Sequence, residues 1–128
     1  MASQLVTLKR AQIGSPQTRY ASIPLDITVK SATGWARAFA PTWKIVMEHK
    51  HGKIDDAGYT REYRDILKAI DPRVVFQLFD LGQTSPDKIV TLLCFCRDGQ
   101  FCHTHLAVDY LVDRYSDLFI DGRTVSKT

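Results

Sequence analysis

Apolar positions along this chain change their period several times, and each change predicts an element. Leu5-Val6-Thr7-Leu8 is apolar and partly β-branched, and the turn-rich Gly14-Ser15-Pro16-Gln17 follows it, which predicts a first strand. Ile23 to Lys30 alternates with period two, placing Ile23, Leu25, Ile27 and Val29 on one face of a second strand, with Pro24 tolerated near its start. After a loop carrying Trp35, Arg37 and Phe39 the period becomes helical. Trp43, Val46 and Met47 share the expected core face of a short helix over Trp43 to His49, and polar Lys50 to Gly58 reads as a connection.

Thr60 is placed to cap the next helix, in which Tyr63, Ile66, Leu67 and Ile70 follow the i, i+3, i+4, i+7 spacing. Asp71-Pro72 is a helix-start signature, and Val74, Val75, Leu78 and Phe79 form the apolar stripe of a third helix that stops near Gly82. Ile89 to Phe95 is short, nearly all apolar, and bounded by Pro86-Asp87 and Asp98-Gly99, as expected of a central strand buried on both faces. A helix from about Thr104 to Tyr115, with Leu106, Ala107, Tyr110 and Leu111 inward, precedes a last strand at Leu118 to Ile120. Strand, helix, strand in this order is a βαβ unit. The expected fold is α/β, three-layered, with about four mainly parallel strands in one domain over residues 1–128 and a core spanning about 5–121.

Composition sharpens this only in places. The 128 residues, 45% hydrophobic and 24% charged, are those of an ordinary folded domain rather than a disordered or fibrous chain. A net charge of +3, from 17 basic and 14 acidic residues, favours an anionic ligand mildly and falls short of the concentrated basic patch of a dedicated nucleic-acid binder. No apolar stretch approaches the roughly 18 residues of a membrane span, and Met1 to Arg10 holds no signal-peptide core, so the expected compartment is the cytoplasm, with reduced thiols and no membrane partner.

The candidate chemistry is concentrated between residues 94 and 105, where Cys94, Cys96, Cys102, His103 and His105 fall together. In a parallel α/β sheet this turn lies beyond the carboxyl end of a strand, where ligands bind. Cys102, His103 and Thr104 stand at the expected helix start, where backbone N–H groups and the helix dipole lower a thiol pKa or hold a phosphate. Two readings stay open: Cys102 as nucleophile with His103 as acid or base, or a packed cysteine beside a capping histidine.

Zinc is the third reading, and the spacing argues against it. On a continuous strand Cys94 and Cys96 sit on one face roughly 6–7 Å apart, and neither C-x2-C nor H-x3-5-H occurs. No metal or other cofactor is therefore expected. Zinc-deaminase, Walker A and dinucleotide-binding motifs are absent, and no cysteine is followed six positions later by the arginine of a phosphatase-type loop. Lys9, Arg10, Lys30 and Lys44 lie near predicted strand ends or a helix start, where they are candidates to meet an anionic ligand. Trp35, Trp43 and Tyr59 are candidates to stack on a base, although Trp43 with Met47 reads more simply as core.

The run Val90-Thr-Leu-Leu-Cys-Phe-Cys-Arg-Asp-Gly-Gln-Phe-Cys-His-Thr-His-Leu-Ala-Val-Asp-Tyr-Leu111, with Phe39-Ala-Pro-Thr-Trp43 and Tyr59-Thr-Arg-Glu-Tyr63 upstream, resembles the domain-of-unknown-function 488 family in its compact bacterial and phage branch. The resemblance covers most of residues 5 to 120 and implies the α/β fold and a site at the Cys-His element. The family usually places Arg after Cys-His, and Thr104 stands there in this chain. The resemblance then implies that an anion-holding charge has moved, with Arg97 and Lys44 as candidates, or that activity is lost.

The function expected is binding of a phosphate-bearing, nucleotide-like small molecule at the turn, with hydrolase or transferase chemistry by Cys102 and His103. Cys96, Arg97, Thr104, His105, Lys9, Lys30 and Lys44 are the expected binding residues. The alternative is a non-enzymatic phage- or plasmid-type modulator that binds a host protein or a nucleic acid through an exposed apolar patch around Trp35 and Phe39.

Overall fold

Strands β1 (Val6–Gln12), β2 (Pro24–Asp26), β3 (Ile89–Cys94) and β4 (Phe119–Asp121) form one sheet in the order β2-β3-β1-β4, with every neighbouring pair parallel. They belong to a computed structural model that describes residues 4–96 and 100–123. Helices α1 (Pro16–Arg19), α2 (Trp43–Lys50), α3 (Asp56–Lys68), α4 (Pro72–Gln83) and α5 (His103–Arg114) complete a three-layer α/β fold, with a 3-10 turn over Gly34–Phe39. Val90 to Cys94 are buried without a break, because β3 is hydrogen-bonded to β1 and β2 and covered on both faces.

Strand order locates a crevice. The chain leaves β1 for β2 by crossing β3, and leaves β3 for β4 by crossing β1. Two adjacent central strands thus send their connections to opposite edges of the sheet. Right-handed crossovers then lie on opposite faces, and a gap opens at the carboxyl ends of β1 and β3, where Gln12 stands opposite Cys94.

The second strand is shorter than its alternation predicts. The Asp26 carboxylate accepts from the Thr28 N–H at 2.8 Å, the Thr28 hydroxyl at 2.7 Å and the Ser31 hydroxyl, a local turn that competes with the sheet. Ile27 and Thr28 are consequently both buried, which a continued period of two would forbid. On α2 the expected face is also wrong. Ile45 is the buried residue and Val46 packs partly buried against the core, while Trp43 and Met47 are 55% and 41% exposed. Helix α3 starts earlier than Thr60 suggests: Asp55 accepts from the Gly58 N–H at 2.7 Å and outcompetes Thr60 as the cap. Tyr59 thereby joins Tyr63 and Leu67 on the buried stripe.

The apolar patch expected around Trp35 and Phe39 is not a surface. Phe39 is fully buried, and Trp35 packs edge-on against it. The Tyr63 hydroxyl donates to the Phe39 carbonyl at 2.6 Å and fastens the end of the 3-10 turn to α3.

Candidate functional site

Strand β3 ends at Cys94, the chain bends through Phe95 and Cys96, and it returns at Cys102 as the N-cap of α5. This return changes the geometry that spacing alone suggests. Cys96 is not on the strand, and the sulfurs of Cys94, Cys96 and Cys102 all lie within 4.8 Å of one another. The expected separation along one strand is therefore corrected. The three cysteines are free thiols, Cys94 and Cys102 buried and Cys96 half-buried.

Arg10, near the end of β1, binds this cluster to the sheet. Its Nη2 donates to Cys94 Sγ at 2.6 Å and to the Cys96 carbonyl at 3.0 Å, and its Nε donates to Thr104 Oγ1 at 3.2 Å. A guanidinium against one of the three sulfurs opposes a cation among them. The donor set suits a negatively charged sulfur better than a metal.

Cys102 is the sulfur that geometry prepares to carry that charge. Thiol hydrogen bonds from Cys94 and Cys96, together with the Thr104 hydroxyl at 3.3 Å and the Thr104 backbone N–H, hold its pKa far below the usual thiol range, against the opposing effect of burial. Hydrogen bonds to Cys102 and Cys94 push Cys96 the other way. Thr104 is fully buried; it donates to sulfur and accepts from Arg10.

His103 is buried, and its ring is oriented by the backbone. Nε2 lies 2.8 Å from the Ile27 carbonyl, which only accepts, so Nε2 carries the proton and Nδ1 presents a lone pair to Cys102 Sγ at 3.7 Å. Burial lowers the His103 pKa below its ordinary value, and the ring packs edge-on against Tyr63. A thiol, an imidazole beside it and a group that fixes the imidazole tautomer form the relay of nucleophilic catalysis.

The cysteines and His103 line a cavity of about 350 Å³. Its walls are largely apolar and aromatic, with Val46, Tyr59, Phe95 and Phe101 among them, and Lys50 and His49 add polar atoms. That volume is at the lower end of the roughly 300–1,000 Å³ of small-molecule sites, enough for one ring-bearing group. His49 is a wall residue that sequence reading did not single out. Its Nε2 meets Asp56 Oδ1 at 2.6 Å and its ring stacks on Phe101. The pair is invisible in the pattern because His49 ends one helix and Asp56 begins the next.

The other expected residues are dispersed. Lys30 is exposed, with Nζ 5.8 Å from the centre of the Phe95 ring, beside the cavity wall. Lys44 projects from α2 and pairs with Glu48 at 3.1 Å and Glu62 at 3.9 Å, outside the cavity. Lys9 lies within β1 opposite Thr91, not at its end. His105 faces β4, where Arg123 Nη1 lies 3.2 Å from its Nδ1 while the same guanidinium binds Asp109 and Asp121; burial lowers the His105 pKa. Arg97 and the Asp98-Gly99 turn lie outside the described residues. Among the described residues, Arg10 of β1 brings positive charge to the cysteines.

Among the described residues no helix is long and apolar enough to cross a membrane. Among protein families, the model of DUF488-N3a, described as the active DUF488-N3 subclade, matches residues 4–115. No curated protein and no solved structure matches the chain.

Proposed function

The chain belongs to the DUF488 family, in its N3a subclade, and from that premise we propose that it is a cysteine-dependent hydrolase or transferase acting on a phosphate-bearing, nucleotide-like small molecule. The observation that carries this reading is Cys102 Sγ at the start of α5, 3.7 Å from a His103 nitrogen whose lone pair is aimed at it by the Ile27 carbonyl. The helix start that was a candidate to hold a phosphate is already occupied by this sulfur, since the Thr104 N–H donates to it. Helix dipole and backbone donors therefore favour the attacking group rather than the ligand.

In the proposed reaction the ring of the substrate enters between Phe95, Phe101 and Tyr59, and its phosphate lies toward Lys30 and Lys50. Cys102 Sγ attacks the electrophilic centre and displaces the leaving group. Because Cys102 is already ionised, the leaving group departs with a proton from solvent. His103 Nδ1 then takes the proton of the water or acceptor hydroxyl that attacks the enzyme-bound intermediate and expels Cys102 as thiolate, and burial makes the resulting imidazolium a strong acid, ready to give the proton up. Arg10 offsets the negative charge of the cluster without touching substrate. The subclade's description as active supports a reading in which the thiol is used.

Thermal denaturation against nucleotides and sugar phosphates tests it, with wild type and Cys102→Ser side by side. A ligand at 100 times its dissociation constant stabilises by about 2.7 kcal/mol. The expected result is a compound that stabilises both proteins and is consumed by wild type alone. No shift across the panel overturns the ligand class. The exposed Trp43 and Met47 of α2 favour the second reading, a modulator that docks on another macromolecule; it requires Cys102→Ala to keep full biological activity.

A further inference from the structure

We propose that Cys96 is the resolving partner of Cys102 in a reversible disulfide, formed by peroxide, that closes the cavity to chemistry. The inference rests on Cys102 being the reactive sulfur, and extends beyond it by giving Cys96 a role that the catalytic scheme leaves empty.

Three sulfurs within 4.8 Å offer two partners for Cys102, and the structure separates them. Cys94 sits in regular β3 structure, is 1% exposed, and is held by Arg10 Nη2 at 2.6 Å, so its sulfur is committed to the sheet. Cys96 lies past the end of the strand in a bend, is only half-buried, and its thiol already faces Cys102 in a hydrogen bond. Sulfurs must close to roughly 2.05 Å to bond, a movement that a bend accommodates and a central strand resists.

The chemistry balances with hydrogen peroxide as the oxidant. The Cys102 thiolate attacks one peroxide oxygen, the O–O bond breaks, and hydroxide leaves, giving a sulfenic acid. The Cys96 thiol then attacks that sulfur; the S–O bond breaks, the departing oxygen takes the thiol proton and leaves as water, and the S–S bond forms. Two thiols and one peroxide give one disulfide and two waters overall. With Cys102 tied up, the nucleophile is absent until a reducing thiol restores it. Without Cys96 the sulfenic acid has no adjacent mobile thiol, and a second hydrogen peroxide oxidises it to sulfinic acid with release of water.

Intact-mass spectrometry and thiol counting on the full chain, treated with hydrogen peroxide in the absence of any nucleotide, test this. Wild type is expected to lose two thiols and the mass of two hydrogens, to yield a Cys96–Cys102 peptide on non-reducing digestion, and to recover completely with dithiothreitol. Cys94→Ser is expected to form the same link, whereas Cys96→Ser and Cys96→Ala gain oxygen on Cys102 irreversibly. A link through Cys94, or wild-type oxygen addition equal to that of Cys96→Ser, or three thiols surviving treatment, overturns the proposal. Because the readout is chemical, a missing link refutes the switch and leaves the nucleotide reading to its own panel. A link formed in a protein that no nucleotide stabilises does the reverse.

Discussion

Arg10 donates to Cys94 Sγ at 2.6 Å, which joins the carboxyl ends of the two central strands through a side chain on one and a thiol on the other. The same guanidinium reaches Thr104 at the start of α5 and the Cys96 carbonyl beyond β3. One planar group thus sets the relative positions of a sheet edge, a bend and a helix N-terminus.

Replacing Arg10 by Ala is expected to destabilise the fold by roughly 1–3 kcal/mol, since charge-assisted hydrogen bonds are lost and their acceptors are left behind. Arg10→Lys restores the charge without the fork, so it is expected to recover only part of that loss. Urea denaturation of the three proteins checks the order. Equal stability of Arg10→Lys and wild type would show that charge alone is what the site requires.

Cys102 is expected to react with iodoacetamide well below the pH at which an ordinary thiol ionises, because donors from Cys94, Cys96 and Thr104 hold it as thiolate. Cys96, pushed upward by Cys102 and Cys94, is expected to lag behind it. Peptide mapping after brief alkylation across a pH series reads both. A Cys102 that reacts only above the ordinary thiol range removes the nucleophile role.

The His103 pKa is lowered first by burial, with Arg10 opposing protonation and the Ile27 carbonyl, Cys94 and Asp26 favouring it. A folded pKa below the unfolded value near 6.5 means that the unfolded chain binds the proton more tightly. The stability tied to neutral His103 is therefore complete above pH 6.5 and is lost as the pH falls through the folded value. His105 has the same sign, while Asp26 and Asp121, also lowered, act only below 3.8. Because Cys102 is ionised in the folded chain and has an unfolded value of 9.0, melting temperature is expected to fall as the pH drops from there and to fall more steeply below 6.5, the extra fall being smaller in His103→Gln. Identical profiles for variant and wild type would assign the fall to other groups.

Tyr63→Phe leaves the buried Phe39 carbonyl without its 2.6 Å donor, while the ring keeps its place. An unsatisfied buried acceptor costs about 1–3 kcal/mol. Chemical denaturation of this variant should show that loss with an unchanged slope; a neutral substitution would mean that water reaches the carbonyl.

Gly82 brings α4 against β1 so closely that a Cβ there would stand 2.5 Å from Val6 Cγ2. Gly82→Ala is expected to cost on the order of 1–3 kcal/mol through overpacking. Val6→Ala in the same chain should relieve part of it, and a double-mutant cycle by denaturation measures the coupling; strictly additive effects would show that the two sites do not press on each other.

Much of the fold was legible because it rests on local periodicity. The apolar run of β3, the Asp71-Pro72 start of α4 and the spacing of Tyr63 with Leu67 each express one element's own burial requirement. Where two local signals competed, pattern alone failed: Asp26 and its neighbours favoured a turn over the alternation that predicted a longer strand. Trp43 and Met47 share a helical face, yet which face of α2 meets α3 is set by α3.

The sequence by itself determined the order of the elements, the parallel α/β class and the segment where thiols and imidazole gather, since these depend on neighbours in the chain. Only the tertiary structure decided which sulfur is activated and where its counter-charge comes from. Cys96 meets Cys102 because the chain bends away from the strand after Cys94, and Arg10 meets Cys94 and Cys96 through strand pairing across more than 80 residues. A hydrogen bond closed over such a distance depends on the packing of the whole sheet and leaves no periodic trace in the sequence.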